Sequence, residues 1–76
     1  MRIEWRWAAR QSARRFLADQ AGIRAVNAAI SALTQDPAPP EAFVRGGYGR
    51  LRVGAYRVLY EIGDDLITIV RVDRVT

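Results

Sequence analysis

Cysteine, histidine and lysine are all absent from this sequence of 76 residues. Without cysteine there is no disulfide and no thiolate ligand, which suits a cytoplasmic protein. Without histidine the chain lacks the usual general base, the commonest metal ligand and any Ser-His-Asp triad. No apolar run reaches membrane-spanning length, and the N-terminus MRIEWRW lacks the pattern of a signal peptide. We therefore expect a cytoplasmic protein that uses no metal, no cofactor and no membrane.

Every cationic side chain in the sequence is an arginine. The 12 arginines outnumber the 8 acidic residues and give a formal net charge of +4. Guanidinium groups are planar donors that bind phosphates and carboxylates through two hydrogen bonds at once. Half of the residues are hydrophobic, which excludes a disordered tail, and the length predicts one small domain over residues 1–76. The composition thus indicates a folded domain with an acidic partner.

The stretch from residue 48 to residue 62 predicts a β-hairpin. Apolar and polar side chains alternate on both sides of Gly54-Ala55, as they do in half-buried strands. Glycine supplies the positive φ that a type II′ turn requires at its first central position. This turn sets Arg52 opposite Arg57, and directly opposed residues share a face of the sheet. We expect Arg50, Arg52 and Arg57 together on one face.

Like charges that face each other across two strands are unfavourable, so this basic face requires an explanation. One alternative is a solvated face on which the guanidinium groups splay apart. The other is a site for an anion. No acidic residue lies between Glu41 and Glu61, whereas four arginines do, and this favours binding of phosphate by Arg45, Arg50, Arg52 and Arg57.

Two helices are predicted before the hairpin from the spacing of apolar residues. The first covers residues 8–21 and is ended by Gly22, since glycine is common just past the end of a helix. The second covers residues 23–34 and stops at Asp36-Pro37, because the residue before proline is pushed out of the helical region. A short connection makes the pair an αα-hairpin.

The remaining segments flank these elements. Ile3, Trp5 and Trp7 alternate with charged residues and predict a first strand whose apolar side chains point inward. Residues 37–47 predict a linker in which Phe43 is anchored in the core.

A last strand is predicted over residues 66–72, a nearly continuous run of apolar and β-branched residues. Its register has two alternatives. A three-residue turn after the hairpin places Arg71 opposite Arg57, whereas a two-residue turn sends Arg71 to the other face.

The order of elements, β-α-α-β-β-β, predicts an α+β fold of two layers, with the N-terminal strand and the αα-hairpin packed on a small antiparallel sheet. One core is expected between the layers, with the arginines on the uncovered face. Its predicted members are Ile3, Trp5, Phe16, Leu17, Val26, Ile30, Leu33, Leu51, Val53, Val58 and Tyr60.

This order, with the string RLRVGAYRVLYEI followed by an acidic turn and a VRV strand, resembles the RelE/ParE superfamily of toxins from bacterial type II toxin–antitoxin systems. The resemblance covers nearly the whole chain. It implies a cognate antitoxin as a partner and is compatible with three functions. In the RelE branch the toxin cuts mRNA on the ribosome, in the ParE branch it poisons DNA gyrase, and a degenerate toxin binds its antitoxin alone. The RelE branch is our first expectation.

The resemblance implies catalytic roles for Arg50, Arg52 and Arg57 on the uncovered face. Glu61 lies four residues after Arg57 on the same strand, which puts both side chains on one face. It is the candidate base, and the alternative is an ion pair with a nearby arginine. The expected RNA-binding residues are Arg45, Arg50, Arg52, Arg71 and Arg74.

Arg74 falls near a basic or histidine position that follows the last strand in many RelE-like toxins. That region commonly reads Val-Gly-His-Arg and continues to a tyrosine. Here it reads Val72-Asp73-Arg74-Val75 and is followed by Thr76. This departure favours the gyrase alternative.

Overall fold

A computed structural model, which describes residues 1–75, shows two helices packed on one face of a five-stranded sheet. The α+β fold of two layers is therefore confirmed. Neither helix in the described residues is long and apolar enough to cross a bilayer. The elements are β1 (Arg2–Trp5), α1 (Trp7–Arg14), α2 (Gln20–Ala32), β2 (Ala42–Arg45), β3 (Tyr48–Val53), β4 (Tyr56–Ile62) and β5 (Leu66–Arg74).

The strand order in the sheet is β1-β5-β4-β3-β2. β1 runs parallel to β5, and all other neighbours are antiparallel. The predicted hairpin register is confirmed, since Val53 lies opposite Tyr56 and Arg52 lies opposite Arg57. Gly54 has a φ of +58°, as the turn between these strands requires.

β2 lies within residues 37–47, which the sequence predicts as a linker. It pairs with β3 at the edge of the sheet through a turn at Gly46 and Gly47, whose φ values are +60° and +81°. Phe43 lies opposite Arg50 in this register and therefore shares its face. The prediction that Phe43 is anchored in the core is wrong, because its side chain points away from the helices and is 59% exposed.

β5 contains a β-bulge that neither predicted register included. Arg71 lies opposite Leu59 and Asp73 lies opposite Arg57, while Val70 has no partner on β4. The extra residue shifts the pairing beyond it by one position. Arg71 therefore lies on the same face as Arg57, as the three-residue turn predicted, but an acidic residue occupies the place opposite Arg57.

The core fills the space between the helices and the sheet. α1 packs over β5, and α2 packs over β3 and β4. The prediction that Leu17 lies in the core is wrong, since α1 ends at Arg14 and the side chain of Leu17 is 57% exposed. Trp7 is also exposed, because β1 ends at Trp5 and the chain then enters α1. The other predicted core residues lie in the core or pack against it, and Ala9, Tyr56, Ile67, Ile69 and Val72 complete it.

The connection between the helices differs from its prediction. α1 ends at Arg14, seven residues before the predicted end at residue 21. α2 begins at Gln20, so Gly22 lies in its first turn. Asp19 caps this helix by accepting a hydrogen bond from the N–H of Gly22 at 3.0 Å. A Cβ atom at position 22 would clash with Asp19 and with the ring of Tyr56. Glycine is thus required here for close approach and not as a helix terminator.

Hydroxyl groups attach the helical layer to the sheet. Ser12 is buried on α1, and its Oγ accepts a hydrogen bond from the backbone N–H of Val72 at 3.0 Å. The hydroxyl of Tyr60 on β4 donates to the carbonyl oxygen of Pro37 at 2.7 Å. These bonds satisfy polar groups that would otherwise be buried at a cost.

A third hydroxyl connects β4 to the start of α2. Tyr56 is buried, and its hydroxyl donates to Oδ2 of Asp19 at 2.6 Å. This bond, with the N–H of Gly22, holds the pKa of Asp19 below its ordinary value of 3.8. The same bond and burial raise the pKa of Tyr56. The guanidinium of Arg74 lies 5.7 Å from the centre of the Tyr56 ring, so Arg74 belongs to this cluster.

Leu33 and Leu17 provide a matched test of the core. Leu33 is fully buried, so Leu33→Ala should lower the free energy of unfolding by about 2–4 kcal/mol. Leu17→Ala removes the same atoms from an exposed position and should change it by about 0.5 kcal/mol or less. Denaturant unfolding measures both values. Equal losses of stability in the two variants would contradict the exposed position of Leu17.

Tyr56→Phe tests the hydrogen bond to Asp19 through its pH dependence. The lowered pKa of Asp19 means that this bond contributes stability above about pH 4. The contribution is lost as the pH falls through the lowered pKa. We expect Tyr56→Phe to be less stable than the parent at pH 7 and the difference to shrink towards pH 2. Tyr48→Phe, which removes an exposed hydroxyl, is the control. A difference that stays constant with pH would contradict the assignment.

Candidate functional site on the open face of the sheet

The helices leave one face of the sheet uncovered, and we call it the open face. Arg50, Arg52 and Arg57 lie there with exposed side chains, as predicted. They line a cleft of about 240 Å³ together with Glu41 and Phe43. We call this group of five residues the arginine cleft. Three guanidinium groups around one small opening form a site that suits a phosphate group.

Two of the three arginines are held in place by neighbours. The Nε of Arg52 donates to the carbonyl oxygen of Gly54 at 2.7 Å, so the hairpin turn orients this guanidinium. The guanidinium of Arg50 lies 5.4 Å from the centre of the Phe43 ring, a cation–π contact. Both contacts leave the terminal nitrogens of the guanidinium groups as donors for a ligand.

Arg57 lies on the β4 side of this site. It lies between Arg52 on β3 and Asp73 on β5. Within residues 1–75 its side chain has no ion pair and no hydrogen bond, and Asp73 instead accepts from the Nε of Arg71 at 2.8 Å. Arg57 is therefore the one cleft arginine for which the described residues provide neither a hydrogen bond nor a ring contact.

Glu41 is a site residue that the sequence analysis did not identify. It lines the arginine cleft from the segment just before β2. Ala42 lies opposite Leu51, so Glu41 comes next to Arg52 at the same end of the sheet. The position of Glu41 follows from the register of β2. The sequence does not predict it, because residues 37–47 have the pattern of a linker.

The comparison with protein families identifies the family to which this fold belongs. The description "ParE toxin of type II toxin-antitoxin system, parDE" matches residues 3–75. The chain belongs to this toxin family. The predicted resemblance to the RelE/ParE superfamily is thereby confirmed. A comparison with curated proteins finds no match.

Solved structures of other toxins share the fold of this toxin. The archaeal RelE–RelB complex from Pyrococcus horikoshii has a TM-score of 0.80 at 21% identity, over 97% of this chain and 93% of that one. The YoeB/ParE toxin from Agrobacterium tumefaciens has a TM-score of 0.78 at 15% identity, over 97% and 98%. The RelBE2 complex from Mycobacterium tuberculosis has a TM-score of 0.67 at 28% identity, over 95% and 94%.

Glu61 of this toxin lies apart from the arginine cleft. Its Oε1 forms an ion pair with Nη2 of Arg6 at 2.6 Å. It follows Arg57 by four residues, about 13 Å along an extended strand. The structure therefore shows the contact that the sequence analysis gave as the alternative, a pair with a nearby arginine.

The other predicted RNA-binding residues are dispersed. Arg45 lines a second cleft next to the arginine cleft. Arg71 borders a different opening, together with Trp7 and Arg15 of the helical side. Arg74 lies against Tyr56 on the helical side of the sheet. The structure thus brings together Arg50, Arg52 and Arg57, with Arg45 as a neighbour, and leaves Arg71 and Arg74 outside the cleft.

No group of three or more acidic side chains within residues 1–75 has an arrangement that would hold a metal ion. The side chains that converge on the arginine cleft are guanidinium groups, one carboxylate and one aromatic ring. This set can bind and polarise a phosphate group, and its carboxylate can accept a proton.

Proposed function

We propose that this toxin binds mRNA on its open face and cleaves it at the ribosome, with the scissile phosphate in the arginine cleft. The observation that carries the proposal is the convergence of Arg50, Arg52, Arg57 and Glu41 on one opening of the exposed sheet. The cleft offers donors for phosphate oxygens and a carboxylate beside them. Both are needed for cleavage of RNA by its own 2′-hydroxyl.

In this reaction the 2′-oxygen of one nucleotide forms a bond to the adjacent phosphorus, and the bond from phosphorus to the 5′-oxygen breaks. The products are a 2′,3′-cyclic phosphate and a 5′-hydroxyl. Negative charge builds up on the other phosphate oxygens in the transition state. Arg52 and Arg57 are placed to stabilise that charge as hydrogen-bond donors, because they lie opposite each other on β3 and β4 and both line the cleft.

Glu41 is our candidate for the group that accepts the proton of the 2′-hydroxyl. Arginine stays protonated and is a poor base, so the cleft needs another acceptor. Glu41 lies beside the three arginines, whereas Glu61 is held by Arg6. After the attack, the protonated Glu41 or water supplies the proton that the leaving 5′-oxygen takes up.

The neutralising partner that we propose is an acidic antitoxin. The structures that share this fold include RelE with RelB and YafQ with DinJ, which are toxin–antitoxin complexes. The net charge of +4 and the exposed arginines favour an acidic segment that covers the open face. Such a segment would block the arginine cleft.

Inhibition of DNA gyrase is a second candidate, since the matching family description names ParE. In that case the toxin acts by binding a protein and has no chemistry of its own. The arginine cleft then matters less than the helical surface. The two candidates predict different damage in cells that produce the toxin.

Arg57→Ala tests the first candidate. It removes one of the three arginines of the cleft and should abolish growth inhibition and lower the cleavage rate at least about 100-fold. The fold should persist, because the change removes repulsion from Arg52 as well as attraction to Asp73. Arg57→Lys should fail too, since lysine lacks the planar pair of donors. Mapping of mRNA ends after induction measures the cleavage, and circular dichroism monitors the fold.

The matched control is Arg24→Ala, which removes one exposed arginine from α2 on the helical side and should leave cleavage unchanged. Intact mRNA together with gyrase-dependent DNA breaks in induced cells would overturn the proposal in favour of the second candidate.

Glu41→Gln and Glu61→Gln together identify the base. If Glu41 accepts the proton, Glu41→Gln should lower the rate of cleavage by about 100-fold or more. It should leave RNA affinity equal or higher, because a negative charge beside the phosphate is removed. Glu61→Gln should change the cleavage rate less, since it breaks a pair with Arg6 outside the cleft. Single-turnover cleavage and equilibrium binding separate the two effects. A larger rate loss in Glu61→Gln would restore Glu61 as the base.

A further inference from the structure

Next to the arginine cleft lies a second cleft of about 220 Å³, which we call the aromatic cleft. We infer that it binds one unstacked nucleobase of the same RNA strand whose phosphate occupies the arginine cleft. This inference rests on the proposed function and adds a base-binding subsite to it. The residues that line the aromatic cleft are Phe43, Arg45, Tyr48, Gly49, Arg50 and Leu59.

Two aromatic rings in this cleft are exposed on a face that no helix covers. Phe43 is 59% and Tyr48 is 60% exposed. Neighbouring exposed rings form an apolar patch, and such patches often mark binding sites. A nucleobase suits this place, since every base has a flat face that stacks on an aromatic ring.

The two rings line one cleft and come from neighbouring positions on adjacent strands, so one base can contact both. Arg45 lies opposite Tyr48 and Phe43 lies opposite Arg50, so Phe43 and Tyr48 are diagonal neighbours on β2 and β3. Diagonal neighbours across a strand pair are about 7–8 Å apart.

The two clefts are continuous, because Phe43 and Arg50 line both of them. A strand whose phosphate is bound by Arg52 and Arg57 therefore reaches the aromatic rings with its next base. Arg45 and Arg50 border the aromatic cleft and can bind the phosphates on either side of that base. An alternating series of basic and aromatic side chains is the arrangement that binds single-stranded nucleic acids.

The probe for the experiment is a short 2′-O-methyl oligonucleotide, which has no 2′-hydroxyl and is not cut. One nucleotide at a time carries 2-aminopurine, whose fluorescence is quenched by stacking. A second series carries an abasic unit at the same position. We expect the toxin to quench 2-aminopurine at one position and to bind the matching abasic probe about tenfold more weakly.

Phe43→Leu should abolish the quenching and bind the intact probe about as weakly as the abasic one. Phe43→Tyr keeps a ring and should retain the quenching. Trp7→Leu is the matched control, since it removes an exposed ring on the helical side and should leave the quenching unchanged. Arg57→Ala should weaken the binding of intact and abasic probes alike.

The inference is overturned if the toxin binds intact and abasic probes equally at every position. It is also overturned if Phe43→Leu weakens binding of the antitoxin while the quenching persists, because the rings then serve a protein interface. Failure of the toxin to bind either series, both alone and with the oligonucleotide placed on ribosomes, would overturn the proposed function as well. The two failures are therefore distinguishable.

Discussion

The register in which β3 pairs with β4 determines which side chains reach the open face. A slip of β3 by one residue against β4 would turn Arg50 and Arg52 towards the helices and expose Leu51. The burial of the apolar side chains therefore fixes the position of the arginines, although the two sets are on opposite faces. The turn at Gly54 reinforces this register, because its positive φ suits glycine. The core and the site are two results of one pairing.

The same pairing forces two guanidinium groups to face each other, and the neighbouring strands moderate that repulsion. The bulge in β5 places Asp73 opposite Arg57. The hairpin turn holds Arg52 through the carbonyl oxygen of Gly54. Bulges are frequent beside functional sites, where they redirect side chains. Natural proteins commonly retain such unfavourable groups where function requires them, at some loss of stability.

The sequence predicts those features that depend on neighbouring residues. Alternation and one glycine were enough for the hairpin and its three arginines, because both strands and their turn are contiguous. The sequence fails where a position depends on distant pairing. Phe43 and Glu41 reach the arginine cleft through the pairing of β2 with β3, and Asp73 depends on a bulge that no residue pattern announces. The prediction that Leu17 lies in the core is wrong because it assumes helical spacing, and α1 ends at Arg14.

The hydroxyl of Ser12 has a consequence for how this sheet can grow. β5 is paired on both sides along residues 66–69, but from residue 70 onward its outer side has no strand beside it in the described part of the chain. The N–H of Val72 is bonded to Ser12 there, so a strand added at this border lacks that donor. Strand addition, the usual route from a sheet edge to aggregation, is thereby left to the free edges of β1 and β2, where the charges of Arg2, Glu4 and Arg45 discourage it.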